Sequence, residues 1–585
     1  MHTTACLSCN MLHAVKLCQQ GVAPQQQPPA VQQLLSQLHQ LAVRLQEQLV
    51  ARQLANIIHS CSKLSSPDTA KLLLPLFLQD SILQRADPQG VSNVVWAAAT
   101  LQMQLTDAEL QLLLGRLAAV LADADPQAVS SILWAVATME QQVQPQQLLQ
   151  LLGRLTAVLA DADPQAVSNT LWGVATMGQR VLPQQLQQLL GRLVAVLADA
   201  NSQDVSNTLW AVATMGQQVP PQQLQQLLAA FGTMLPAANP QGVSSLVWAC
   251  GKMQQLPLPV LQSLQQHHQQ LQQLLAAAQP QALANMAWAC GQLGYNGLPA
   301  ALLQQAVKLL QDGAAGSLNS QDMCNLCWSA AVLHLQQCVP EVLQLAAAAS
   351  QLFSIARDQG LQQLHQVHLW LLDSKLPAPD QGLSGVLTQQ QLEQCRASWE
   401  ESLLATAKQP PSRLQKSVNA AVLQLRRDTW QRQPQSEQPT RDKACLIDIF
   451  AVTASGVPVA IEVDGSHHYV QPDNTLTGPT LRRNRALAAR GYALISIPYW
   501  EWEVLRGTEQ QQQYLLAKLQ GVQQQPDAAA ALPPPLVAPA TQQQHILGTA
   551  AMQPCAAKTA APQPAAAAVE SGSSPRRRRR PLGGE

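Results

Sequence analysis

Residues 163–172 read Asp-Pro-Gln-Ala-Val-Ser-Asn-Thr-Leu-Trp, and residues 201–210 read Asn-Ser-Gln-Asp-Val-Ser-Asn-Thr-Leu-Trp. The motif recurs at Trp96, Trp134, Trp172, Trp210, Trp248, Trp288 and Trp328, at spacings, by subtraction, of 38, 38, 38, 38, 40 and 40 residues. A fixed period near forty is the mark of stacked two-helix units sharing one continuous core. Within one unit, Asp163 is a natural N-cap and Pro164 suits the first helical position. The helix is expected to run through Met177 and stop at Gly178, and Pro183 opens a second helix with leucines at three- and four-residue spacing.

A helical wheel sorts the first helix. Val167, Leu171, Val174 and Ala175 make an apolar side with Trp172 at its margin, while Asn169, Gly173 and Thr176 cluster opposite. The next unit repeats this trio as Asn207, Ala211 and Thr214. Asn93, Asn285 and Asn325 occupy the asparagine position in other units. Neutral polar groups set once per repeat can read successive bases along a single strand. The alternative stays open: small side chains also let neighbouring helices approach closely. The tryptophans, flanked by apolar residues, read as core.

Ala51 to Leu64 fits the template with His59 in place of tryptophan, and Leu361 to Leu376 reads as a degenerate last unit. The expected architecture is therefore a right-handed type of α-solenoid, about seven to nine helix pairs over residues 51–376, followed by a small α/β domain.

Lys+Arg and Asp+Glu both number 35, so net charge gives no global pull toward nucleic acid. Between Asp87 and Trp328 there are 12 acidic and 6 basic residues, so this stretch would not hold RNA by phosphate attraction. Cys6–Cys9 and Cys324–Cys327 are C-x-x-C pairs without a second pair at zinc-site spacing, and they read as reduced or buried thiols. No apolar run reaches the ~18–20 residues of a membrane span. Residues 1–50 carry their first acid at Glu47, which suits an organelle transit peptide.

Residues 377–440 read as a basic helical connector, with seven basic and three acidic residues from Arg396 to Gln433. The pattern then changes. Ala444–Val452 and Val457–Val463 are β-rich runs joined at Ser455-Gly456, an expected hairpin. A helix opened by Gly478-Pro479 and closed by Gly491 follows, then a strand from Tyr492 to Pro498. Beyond residue 520, Ala, Pro and Gln runs indicate a low-complexity tail (521–585) ending in the cluster Arg576–Arg580.

Two resemblances rest on these residues. The LWAxATMG signature and its period resemble the octotricopeptide repeats of green-algal organelle proteins, which implies sequence-specific binding of single-stranded RNA. IEVDGSHHY, LTGPTLRRNRAL and RGYALISIPYWEW, within residues 441–520, resemble the RAP domain. That resemblance implies a restriction-endonuclease-like α/β fold acting in organellar RNA processing, stability or translation, in the chloroplast or alternatively the mitochondrion.

Such a fold raises the question of cleavage. Asp448, Glu462 and Asp464 are acids on adjacent strands, and Asp448 with Glu462 is a candidate Mg²⁺ pair. The lysine that nucleases of this fold place two residues after the acid is here Asp464; His467 or Arg482 are candidate substitutes. In the other reading these acids hold the fold, while Arg482, Arg483, Arg485 and Trp500 touch RNA. Three function classes follow: an RNA binder needing no cofactor and working with other RNA-processing proteins, a metal-dependent endoribonuclease, and a protein-binding scaffold.

Overall fold

The computed structural model describes residues 50–313, 318–374 and 381–524. The candidate transit segment up to residue 49, with Cys6 and Cys9, and the tail with Arg576–Arg580 lie outside them.

The first helices of the repeats form one unbroken row: α1 (Ala51–Lys63), α2 (Pro88–Thr100), α3 (Pro126–Thr138), α4 (Pro164–Thr176), α5 (Ser202–Thr214), α6 (Pro240–Met253), α7 (Pro280–Leu293) and α8 (Ser320–Leu333). Each packs on the next, and α9 (Asp358–Asp373) and α10 (Gln389–Ala407) continue the row. Second helices such as Pro145–Ala157 and Pro183–Ala195 flank it.

The capping logic holds. Asp87, Asp125 and Asp163 each accept from a backbone N–H three residues on, at 2.7 Å. Pro164 opens α4, Met177 ends it, and Gly178 follows at φ +69°. The second helix stops at Ala195, earlier than its leucine pattern suggests, and a 3-10 turn, Leu197–Asp199, leads into the next cap. In the first 40-residue unit the second helix is broken in two, Leu258–Gln266 and His268–Ala277.

Burial of the leucine and valine stripe supplies most of the stability, about 1.5–3 kcal/mol per fully buried side chain. Two polar clasps also join successive units. Arg116, Arg154 and Arg192 donate through Nε to the carbonyls of Ala86, Ala124 and Ala162, at 2.9, 2.8 and 2.7 Å. Gln141, Gln179 and Gln217 donate to the carbonyls of Leu105, Val143 and Val181, at 2.6, 2.8 and 2.8 Å. These carbonyls belong to loops that no helix satisfies. Gln179→Ala is expected to lower stability by about 1 kcal/mol in chemical denaturation; an unmoved midpoint would mean that water replaces the amide.

The segment read as a helical connector holds α10, α11 (Arg413–Gln424) and an additional strand, β1 (Trp430–Pro439). Its polar, proline-bearing sequence WQRQPQSEQP lacks apolar alternation, which is tolerable at a sheet edge. The expected hairpin is β2 (Leu446–Thr453) and β3 (Pro458–Asp464), turning at Gly456. A short ladder, β4 (Tyr469–Val470) with β5 (Thr475–Leu476), precedes α12 (Gly478–Ala489). β6 (Ala493–Pro498) then lies parallel to β3, giving the order β1-β2-β3-β6. One sheet face packs against α11 and α13 (Gly507–Gln524) around Val418, Val422, Ile461, Ile497 and Trp502.

The α/β block is seated on the solenoid through α12, which packs on α7, α8 and α9. Gln471 exchanges backbone bonds of 2.9 Å with Gln254 and Leu256, and the Gln254 amide reaches the His467 carbonyl at 2.7 Å. Lys443 pairs with Glu400 at 2.7 Å, and Arg490 bridges Asp373 and Asp442 at 2.8 and 2.7 Å.

Candidate functional site

Along the row of first helices, asparagine, tryptophan and threonine fall three and four residues apart and so share one strip of the surface. Asn93, Asn169, Asn207 and Asn285 are half-buried, and their side chains make no hydrogen bond among the described residues. Asn325 differs: its Oδ1 accepts from Gln321 and Gln363 at 3.1 and 2.9 Å. Thr176 is exposed and Thr214 half-buried, with the Thr214 hydroxyl lacking a partner.

The tryptophans form a continuous column. From Trp96 to Trp288 successive rings sit 6.3–6.5 Å apart, each tilted about 31–33° to the next. His59 begins the column 4.9 Å from Trp96, with the Lys63 ammonium 4.2 Å over that indole. Trp134, Trp172 and Trp288 are buried, while Trp96, Trp210 and Trp248 are half-buried, so the column packs the repeats together and leaves part of its edge on the surface. Gly173 does not share the strip's exposure. A Cβ there would meet the Leu133 carbonyl oxygen at 2.6 Å, so this position sets helix-to-helix spacing instead.

In the α/β block the hairpin and β3 bring Asp448, Glu462 and Asp464 together, and α12 inserts Arg483 among them. Arg483 lies 2.9 Å from Glu462 Oε2 and donates to Asp464 Oδ1 at 2.7 Å. Ser496 on β6 donates to the other Asp464 oxygen. Asp448 accepts from the Val463 N–H at 2.7 Å and from Gln415 at 2.9 Å. Glu462 is 1 % and Asp464 0 % exposed.

Burial pushes the Glu462 and Asp448 carboxyls up, against the pull of Arg483. Burial works to lower Arg483 too, but the carboxylates of Glu462, Asp464 and Asp448 outweigh it and hold its proton firmly. Asp448 and Glu462 therefore hold a proton more readily than isolated carboxyls do. His468 approaches Asp464 at 3.7 Å, but burial, aided by Arg483 and His467, depresses it well below the usual imidazole range. It is neutral at physiological pH, so the contact is not an ion pair. It bonds Thr480 at 3.0 Å instead.

This arrangement does not fit Mg²⁺ at Asp448 and Glu462, because Arg483 already supplies the positive charge there, 2.9 Å from Glu462 and 2.7 Å from Asp464. Among the described residues no group of three or more His, Cys, Asp or Glu is set to hold a metal ion. His467 is exposed and offers its carbonyl to Gln254.

The other arginines of α12 have separate surroundings. Arg485 donates to the Ala331 carbonyl at 3.2 Å and to that of Val332, at the C-terminal end of α8. Arg482 lies 5.6 Å from the Trp399 ring centroid. Trp500 is half-buried, 4.4 Å from the Tyr469 ring. Arg413, Lys416, Arg426 and Arg427 are exposed on and after α11. The seating of α12 and the role of Arg483 had one signal in the sequence: a run of three arginines in four positions on a helix with no matching acids of its own.

Residues 461–518 match the family model of the RAP domain, a domain associated with RNA binding. The chain therefore carries a C-terminal RAP domain preceded by a long run of helical repeats. Over 76 residues it is 37% identical to a "RAP domain-containing protein, chloroplastic" of Oryza sativa subsp. japonica. That alignment covers 13% of this chain and 12% of the rice protein. No helix among the described residues is long and apolar enough to cross a membrane.

Proposed function

We propose that the chain binds a specific single-stranded organellar RNA and guides its processing, stability or translation. The observation that carries this reading is the set of unbonded asparagines beside the tryptophan column, Asn93, Asn169, Asn207 and Asn285, at the same position in four of the seven tryptophan-bearing repeats. A primary amide offers donors and an acceptor in one plane, matched to the edge of a base. The acidic balance of the repeats fits readout of bases over phosphate attraction, and exposed Arg413, Lys416, Arg426 and Arg427 supply a separate basic surface. The rice relative's description and the acid-poor first 46 residues favour the chloroplast, with the mitochondrion the alternative. Any cleavage step falls to partner enzymes, since Arg483 occupies the carboxylate cluster.

The test is crosslinking of tagged protein in cells with sequencing of bound RNA, beside the Asn169→Ala/Asn207→Ala double variant. Each lost base contact costs about 1 kcal/mol, roughly fivefold in affinity per site. The double variant is therefore expected to fold normally and relax preference at two adjacent nucleotides. An unchanged preferred sequence would sink base reading by these residues. Recovery of proteins without RNA would favour a scaffold, and Mg²⁺-dependent cut ends lost in Glu462→Ala would restore the nuclease.

A further inference from the structure

We infer that the seam between the last solenoid helices and α12 is a phosphate-binding pocket whose cationic wall is Arg482 and Arg485. It rests on the RNA-binding reading only for the source of the phosphate; the site itself stands on its own geometry.

A cavity of about 70 Å³ opens here, lined by Arg482, Arg485, His334, Gln366, Trp370 and Asp373 among others. Its charges do not cancel. The Asp373 carboxylate is bound by Arg490 at 2.8 Å, and Arg490 is held also by Asp442 at 2.7 Å. The carboxylates of Glu462 and Asp464 are engaged by Arg483. Arg485 spends one nitrogen on the carbonyls that end α8, where a cation complements the helix dipole. Arg482 meets the Trp399 ring, 5.6 Å from its centroid, and among the described residues no carboxylate or carbonyl. It forms no ion pair among the described residues, and its Nε is shut off from solvent without a hydrogen-bond partner.

Two guanidiniums on one cavity wall repel each other. Burial, with the Arg482 charge added, brings Arg485 down to about 10. A guanidinium withdrawn from water without an anion is unfavourable until an anion or water relieves it. The planar forks of arginine match phosphate oxygens in pairs, and the cavity is large enough for one such group. The neutral side chains facing it are already committed: Trp370 donates to His334 at 2.9 Å, and Gln366 accepts from Trp328 at 3.0 Å. Those bonds leave the arginines as the groups in need of a partner.

The seam also lies where the row changes character. Asn325 is tied to Gln321 and Gln363, and Trp328 is turned to Gln366. A phosphate held here would anchor a strand at the end of the open repeats, either as a backbone group or as a terminal phosphate.

The experiment uses the full chain. Thermal unfolding is followed in inorganic phosphate and in chloride at equal ionic strength, for the native sequence, Arg482→Gln and Arg482→Lys. Phosphate is expected to raise the native midpoint in a saturable way, Arg482→Gln to lose the shift, and Arg482→Lys to keep part of it. Equal midpoints in the two salts, or an undiminished shift in Arg482→Gln, would overturn the pocket. Arg482 makes no hydrogen bond through Nε, so Arg482→Gln is the variant least prone to unseat α12; circular dichroism checks this.

A second arm measures binding of the crosslinked RNA with a 5′-monophosphate or a 5′-hydroxyl. About tenfold weaker binding in Arg482→Gln is expected. Confined to the phosphorylated RNA, the loss identifies a terminal phosphate; shared by both, it identifies a backbone phosphate. Undiminished binding of both RNAs in Arg482→Gln would overturn the pocket while leaving RNA recognition intact. A phosphate shift sensitive to Arg482→Gln in a chain that binds no RNA would keep the pocket and refute the RNA reading.

Discussion

Arg483→Gln is expected to destabilise the RAP domain by about 3–5 kcal/mol, the usual cost of removing one partner from a buried charge cluster. The substitution leaves Glu462 and Asp464 in place, both essentially closed to water, with no cation within reach. Neutral glutamine can donate to one carboxylate but cannot offset the repulsion among three acids. The loss should depend on pH in a stated direction. A carboxyl whose folded pKa is raised contributes stability that is present at low pH. That contribution is lost as pH rises from the unfolded value near 4.5 through the folded one. Burial already raises Glu462 and Asp448 in the native chain, and deleting the guanidinium raises them further. Arg483→Gln should therefore be least damaging near pH 5 and most damaging near pH 8, read by thermal unfolding across that range. A pH-independent loss would mean that Arg483 acts by packing alone. The double variant Arg483→Met/Glu462→Gln should recover part of the loss, because it removes charge from both sides.

What could be read from the chain follows from which forces are local. The solenoid was legible because its determinants repeat: Asp-Pro caps, a leucine stripe and a glycine stop each act within one turn or one helix. The β2–β3 hairpin and β6 were legible for the same reason, through apolar runs bounded by Gly456 and Gly491. β1 was not, because an edge strand needs backbone pairing with β2 more than apolar side chains. The arginines of α12 show the limit at the site. Their charge was plain, but their separate partners (acids from β3, carbonyls from α8, an indole from α10) come from elements up to 154 residues away. No local pattern assigns one guanidinium to carboxylates, a second to a helix end and a third to an aromatic face. The asparagine row lies between these cases: its periodicity was readable, while the capture of Asn325 by Gln321 and Gln363 needed the neighbouring helix.

Gly478→Val is expected to separate two bodies that now unfold together. A Cβ at residue 478 would lie 1.9 Å from the Gly291 carbonyl oxygen and 2.5 Å from Val332 Cγ1. Neither can give way cheaply, since one is backbone inside α7 and the other belongs to a side chain with 0 % exposure. Overpacking of this kind usually costs about 1–3 kcal/mol, and here backbone is the obstacle, so the upper end applies. The strain falls on the first turn of α12, the turn that seats the RAP domain on α7 and α8. Relief by lifting that turn would also break the Arg485 bonds to Ala331 and Val332 and open the seam around Arg482. The native chain should unfold in one main transition, and Gly478→Val in two, with the solenoid transition nearly unmoved. Hydrogen exchange should rise at Gly291–Gly294 and Ala331–His334 while staying low through α3 and α4. Gly491→Ala is the control: it strains a residue at φ +78° at the far end of the same helix, where an added Cβ meets nothing within 4 Å. It should lower RAP-domain stability by about 1 kcal/mol without splitting the transition. If Gly491→Ala and Gly478→Val behave alike, the seat is held elsewhere, by the Gln254–Gln471 bridge or the Lys443–Glu400 pair. If only Gly478→Val divides the molecule, the close approach of Gly478 to Gly291 is what joins the RAP domain to its repeats.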